Sequence, residues 1–356
     1  MIVAGHTGDT DADAGTGDVF APDRDGTGSW DRQEDVEARY GWRYTLAQIR
    51  RDPTAAAGLV VVGVVTAVAA VAWIDAVLFD YLARFGFFAG LGVEQYALAK
   101  AVWTSPVAEP ANTPRLLPPV GLENQFGEGT LAHPLGTDHR GRDILLRLIY
   151  GSRVAIQVGF VAAVVGLLGG TAVGAVAGYY GGRVDDVLMR FVETLYSIPF
   201  LVLVLSLVAV LGARENLTII MLVVGVVYVP EFARLIRSRV FSVREEVYVE
   251  AARAAGVSTP AILRRHVIPN SFTPVLVQGT LRVGTAILTV AGLSFLGFGV
   301  NPPTPSWGRM LSVSRDYMIQ NVWFSVWPGL AILLTVVGFN LFGDGLRDAL
   351  DPRLKN

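Results

Sequence analysis

Long apolar runs alternate with short charged stretches along this chain, and five of the runs reach the length of a membrane helix, with a sixth less clean. About 20 mainly apolar residues suffice to cross the hydrocarbon core. Ala55–Ile74 does so without a charge, and Val154–Gly178 is interrupted by Gln157. Thr194–Ala213 contains Pro199, and the uncharged run Asn216–Val229 meets Pro230, Glu231 and Arg234 where it should end. Phe272–Val300 carries one charge, Arg282, and Val322–Gly343 has Pro328 near its start. The pattern predicts an all-α membrane protein of six transmembrane helices.

The polar stretches divide the rest. Residues 1–40 hold ten acids, three arginines and no apolar run, too little apolar surface to offset the entropy of ordering, so a disordered acidic tail is expected. Residues 41–78 read as an amphipathic segment leading into the first span. Residues 79–153, with Pro110, Pro114, Pro118, Pro119 and Pro134, read as an insertion on the far side of the membrane, and Asp80–Val102 within it as partly amphipathic, suited to the membrane surface. Residues 154–345 form the core domain, interrupted by a charged loop at 241–271, and residues 346–356 form a tail.

Composition agrees with lipid as the solvent. Apolar residues make up 52% of the 356 and charged ones 17%, with a mean hydropathy of +0.46; soluble domains average about 25% charged. The net charge of −2 gives no footprint for nucleic acid. Cysteine is absent, which excludes disulfides, thiolate metal sites and cysteine nucleophiles. Six spans put both termini on one side, and that side holds 18 of the 29 basic residues. Arginine excess marks the cytoplasmic face, so both ends are expected inside.

The loop at 241–271 carries the strongest functional signal. Glu245 to Ala255 reads as a short helix stopped by Gly256, which can take the left-handed conformation that ends one. Ser258 is placed to cap a second helix through Ala261–Arg265, before Pro269. Val249, Ala252 and Ala255/Gly256 fall on one side at three-to-four spacing; Glu250 and Arg253 fall together on another. The result is a helix–turn–helix knob on the cytoplasmic face, suited to a partner.

Glu250-Ala251-Ala252, then Gly256, then Val267-Ile268-Pro269 resembles the EAA loop of ATP-binding-cassette importer permeases, which implies a coupling helix that enters a groove on a cytoplasmic ATPase. Further motifs resemble the second permease of dipeptide, oligopeptide and nickel importers. They are His133-Pro134-Leu135-Gly136-Thr137-Asp138 with Gly141-Arg142-Asp143, Gly178-Tyr179-Tyr180-Gly181-Gly182, Leu293-Ser294-Phe295-Leu296-Gly297, Pro302-Pro303-Thr304-Pro305-Ser306-Trp307-Gly308 and Gly343-Asp344-Gly345-Leu346-Arg347-Asp348. The resemblance covers roughly residues 130–356. It implies a type I importer permease fold, a partner permease, two ATPase subunits, an extracytoplasmic solute-binding protein, and import of peptides or a related small solute. The chain differs from that branch in a longer outer segment and in Val290, where the branch commonly has an acid.

The remaining candidates are few. A lone cation in hydrocarbon costs about 2.5–3.5 kcal/mol on insertion scales and usually faces a bundle interior or wet cavity, so Arg282 either contacts solute or serves a structural pair. With Ser294 and Phe295 it is a candidate for the translocation path. Glu193 and Glu231 are expected to pair with Arg190 and Arg234 at helical spacing. His133, Asp138, His139 and Asp143 could bind a metal, but turn and capping roles, with Arg140 and Arg142 as ion partners, explain them better. Glycines spaced by four, Gly166/Gly170, Gly170/Gly174 and Gly174/Gly178, suit close helix packing. No G-x-x-x-x-G-K-[ST], H-E-x-x-H or G-x-S-x-G occurs, so no catalytic residue, cofactor or metal is expected and energy must come from a partner. An ion-gradient transporter is the alternative, and it lacks acids at the centres of spans one, two, five and six.

Overall fold

The computed structural model describes residues 42–84, 94–110 and 112–350, with side chains from residue 45 onward. The predicted acidic tail at 1–40 and most of the C-terminal tail at 346–356 lie outside the described residues. The chain divides into two compact units, Met1–Ala47 and Gln48–Asn356; of the first, only the opening of helix α1 (Trp42–Arg51) is described.

Three of the long helices begin where the sequence supplies a cap. In α2 (Pro53–Ala83), Asp52 Oδ1 accepts from the backbone N–H of Thr54 at 2.8 Å, and Pro53 occupies the first turn, where its missing N–H costs nothing. Hydrogen bonds from the Thr54 hydroxyl, at 2.7 Å, and from its N–H hold the Asp52 carboxyl below its ordinary range. Helix α4 (Ile144–Tyr180) starts at Asp143, whose Oδ1 accepts from Leu146 N at 2.8 Å. Asn216 caps α7 (Leu217–Arg244) in the same way. Between these lie α3 (Ala97–Val102), a two-residue hairpin pairing Glu123–Asn124 with Gly127–Glu128, α5 (Gly182–Tyr196) and α6 (Phe200–Val210). After α7 come α8 (Val247–Ala254), α9 (Thr259–Ile262), a π turn over Leu263–Val267, and α10 (Ile268–Ser271). The chain finishes with α11 (Thr273–Phe295), α12 (Trp307–Ser314) and α13 (Trp323–Leu350).

Five of these, α2, α4, α7, α11 and α13, are long and apolar enough to cross a membrane, and α5 with α6 makes a sixth span if the bent pair is counted as one. This corrects the expectation of a single span over Thr194–Ala213: the two helices meet at 93°. Pro199 disfavours helical geometry at Ile198 before it, and the break falls at Ser197–Pro199. The fourth span does not end near Pro230. Helix α7 runs on to Arg244 because neighbouring helices absorb its charges, and a proline inside a membrane helix is tolerated where neighbours satisfy the freed groups. Arg237 makes two hydrogen bonds to Asp185 on α5, and the Arg234 guanidinium lies 3.6 Å from the Tyr196 ring centroid.

The first and second spans are also longer than the apolar runs. Helix α2 continues past Ile74 through a π turn at Ile74–Leu78, and α4 begins ten residues before Val154. They reach into the 79–153 insertion from both sides. Of the amphipathic stretch Asp80–Val102, residues 85–93 lie outside the described residues, and α3 forms its last part.

Glycine sets the closest contacts. A Cβ on Gly170 would stand 2.3 Å from Phe232 Cβ, and one on Gly174 2.3 Å from the Ala233 carbonyl oxygen, so α4 and α7 touch backbone to backbone. Gly58 does the same for α2 against α13, where a Cβ would stand 2.5 Å from Phe342 N. The main core lies among α4, α6, α7 and α11, with Val158, Val204, Val224, Phe232, Ile236 and Leu293 inside it.

Candidate functional site

The loop between α7 and α11 folds as the predicted knob. Its inner side is part of the main core: Val249, Ile262 and Val267 are buried with Ile236 and Val240 of α7. Helix α8 thus has one anchored face and one free face. Glu250, Ala251 and Arg253 are exposed, Ala252 is half-buried against the core, and Val247 and Tyr248 are apolar yet exposed. Ala255 and Gly256 are exposed too, so these two lie on the free side, and only Ala252 shares the inner side with Val249. Partial burial and the charge of Glu246 push the Tyr248 hydroxyl up from its ordinary pKa.

Gly256 has φ +77°, a conformation L side chains rarely adopt. It turns the chain into Ser258, the residue before α9. The second helix extends further than Ala261–Arg265: the π turn carries it through Val267 into α10, with the exposed Pro269 in that helix's first turn. At the knob's root, Arg244 Nη1 donates to the carbonyls of Gly178 at 3.1 Å and Tyr179 at 3.2 Å. A cation at the C-terminal end of α4 satisfies carbonyls that lack a helical partner. The Arg253 guanidinium lies 5.9 Å from the Tyr179 ring centroid. The knob is therefore tied to the ends of two spans and is positioned to move with them.

A second feature lies at the middle of the bundle. A cavity of about 250 Å³ is lined by Tyr196, Ile198, Phe200, Tyr228, Glu231 and Arg282, among others. Arg282 on α11 ion-pairs with Glu231 on α7, and Gln278 Nε2 donates to the same carboxylate at 2.7 Å. Glu231 thus pairs across helices, not with Arg234 at local spacing as the sequence suggested; Arg234 faces Tyr196 instead. The Arg282 guanidinium lies 5.6 Å from the Tyr228 ring centroid.

The three residues grouped as a path do not meet. Ser294 is buried beside Gly308 of α12 and lines a separate cavity of about 20 Å³. Phe295 lines neither cavity; it is partly exposed, with the Arg315 guanidinium 5.8 Å from its ring centroid. The motif His133–Asp143 resolves into pairs. Asp138 accepts from Arg142 Nε at 2.7 Å, and His133 Nδ1 lies 2.8 Å from Asp143. Arg140 pairs with Glu109 rather than with either aspartate. Burial lowers the pKa of His139, which stacks on Tyr317 at 5.3 Å.

Sequence reasoning missed Asp75. It is fully buried at the π turn of α2, where it accepts from the backbone N–H groups of Leu98 at 2.8 Å and Ala99 at 3.2 Å and from the Tyr150 hydroxyl. An acid at the edge of an apolar run was the available signal.

Residues 170–356 match the family described as binding-protein-dependent transport system inner membrane component. The dipeptide transport system permease protein DppC of Alkalihalophilus pseudofirmus is 44% identical over 233 residues, 65% of this chain and 76% of that protein. The di/tripeptide transport system permease protein DppC of Pseudomonas aeruginosa is 42% identical over 72% of this chain and 83% of its own length. The glutathione transport system permease protein GsiD of Pectobacterium atrosepticum is 40% identical over 67% and 81%. Among solved structures, a chain of the inward-facing MetNI methionine ABC transporter aligns with 58% of this chain and 97% of its own, at 18% identity and a TM-score of 0.48.

Proposed function

The chain belongs to the inner membrane components of binding-protein-dependent transport systems, and from that premise we propose that it is one of two permease subunits in an ATP-driven importer of di- and oligopeptides. The peptide class rests on relatives named for dipeptide, di/tripeptide and glutathione transport. A related permease completes the translocation path, two ATPase subunits sit on the cytoplasmic side, and a solute-binding protein delivers peptide from outside. Both termini are cytoplasmic, on the arginine asymmetry.

The observation that carries this reading is the knob: α8 is anchored through Val249 on the main core and leaves Glu250, Ala251 and Arg253 free. A rigid lever needs both properties. Closure of the ATPase pair around ATP displaces α8, the Arg244 contacts and the Val249 seat carry the displacement into α4 and α7, and the bundle turns its opening from one side to the other. No covalent step falls to this chain; hydrolysis belongs to the ATPases. Arg282 belongs to the solute path, and Ser294 and Phe295 act at the end of α11, Ser294 against α12 and Phe295 against Arg315.

The chain has no cysteine, so a single cysteine at Ala251 in the assembled transporter gives a clean test. A bifunctional maleimide should join it covalently to an ATPase subunit carrying one cysteine in its docking groove. Absence of that adduct in an assembled, ATP-hydrolysing complex contradicts the coupling role.

A further inference from the structure

The cavity at the bundle centre has a composition that the importer reading does not by itself require. Glu231 stands 14 residues into the 28-residue helix α7, and Arg282 lies nine residues beyond the start of the 23-residue α11, so the ion pair joins two membrane-spanning helices away from their ends. Intramembrane charges are costly and mark functional positions unless their pairing is purely structural. Here both partners are about one-quarter exposed and both line the cavity, so the pair faces open space.

The pair also has unused capacity. A guanidinium has five N–H donors in a fork that can hold a carboxylate through two of them. Among the described residues Arg282 Nε is shielded from solvent and has no hydrogen-bond partner. The break between α5 and α6 opens on the same cavity, through Ile198 and Phe200. Broken backbone at membrane depth is tolerated where it lines a cavity.

We propose that this cavity is a transit site for the charged ends of a peptide main chain. The terminal ammonium replaces Arg282 on Glu231, and the terminal carboxylate replaces Glu231 on Arg282. The inference rests on the peptide-importer reading and specifies how the path meets that substrate. Between transport events the two side chains neutralise each other, so neither charge is left unpaired in the membrane. An extended dipeptide spans about 7 Å, a gap that rotation of two long side chains can open. The volume of about 250 Å³ is just below the roughly 300–1,000 Å³ of drug-sized ligand sites, which suits a small peptide or one end of a longer one. The remaining lining is aromatic and aliphatic, with the hydroxyls of Thr285 and Thr289, and carries no fixed charge to select a side chain. Recognition of the main-chain ends then passes peptides of different sequence alike.

Replacing both charges by neutral residues separates this role from a structural one. If the pair only neutralises itself, Glu231→Gln/Arg282→Met leaves no unpaired charge and function survives. The experiment is uptake of radiolabelled Ala-Ala into proteoliposomes holding the complete transporter, with ATP inside and loaded binding protein outside. The expected result is an assembled double variant, by size-exclusion chromatography, with uptake reduced at least tenfold. Uptake within twofold of the unmodified transporter overturns the transit site, and so does failure of the double variant to assemble, which makes the pair structural. Absence of Ala-Ala uptake by the unmodified transporter overturns the peptide reading itself.

Discussion

The Tyr150 hydroxyl donates to the carboxyl group of Asp75, joining α4 to α2 across 75 positions of sequence. Asp75 also receives the N–H groups that open α3, so one acid ties the segment after the first span to two spans.

Removing that acid strands three donors, two of them backbone. A buried donor without an acceptor costs about 1–3 kcal/mol, so Asp75→Ala should destabilise the purified subunit by roughly 3 kcal/mol or more. Tyr150→Phe removes a single donor and should cost only about 1 kcal/mol. Thermal unfolding in detergent checks both, and equal shifts for the two variants would show that Asp75 does not organise the insertion.

The glycine contacts between α4 and α7 predict a sharp contrast. Gly174→Val places a Cβ 2.3 Å from a backbone carbonyl, a clash that no side-chain rotation relieves, and overpacking of this kind costs about 1–3 kcal/mol or more. Gly292→Ala, in α11, meets nothing within 4 Å and should be neutral or stabilising by about 0.5–1 kcal/mol. Melting temperatures of the two variants should move in opposite directions, or one should move alone.

Much of the fold was legible because lipid imposes simple rules on sequence. The apolar runs locate the five long helices, and Gly256 marks the turn of the knob, where φ is +77°. What was not legible depended on which helices cross. Glu231 and Arg234 are at helical spacing, a local signal for pairing, yet α11 brings Arg282 to Glu231 and leaves Arg234 to an aromatic ring. Asp75 looked like the end of a span because its partners lie 23 to 75 positions away. Pro199 and Pro230 look alike in sequence; only the neighbours show that one breaks its helix and the other does not.

The knob should fail in two separable ways. Gly256 stands in open space, so Gly256→Val acts through the backbone, where left-handed geometry costs a side-chain residue about 1–2 kcal/mol. Glu250→Lys leaves the fold alone and reverses an exposed charge. Both variants should insert and bind the partner permease, and both should recover less ATPase on affinity purification, by fivefold or more. Normal recovery with normal transport would make the knob a solvated loop.

Topology follows from the spans. With no native cysteine, Glu128→Cys should react with a membrane-impermeant maleimide in intact cells. Ser258→Cys should react only after the membrane is opened. Labelling of Ser258→Cys from outside would invert the chain and remove the knob from any cytoplasmic partner.

The most direct measurement is the energy source for uptake by the reconstituted transporter. Proteoliposomes holding this chain, its partner permease and both ATPases should accumulate Ala-Ala only with binding protein outside and hydrolysable ATP within. Imposed proton or sodium gradients should add nothing. Uptake driven by an ion gradient in the absence of ATP would contradict the account.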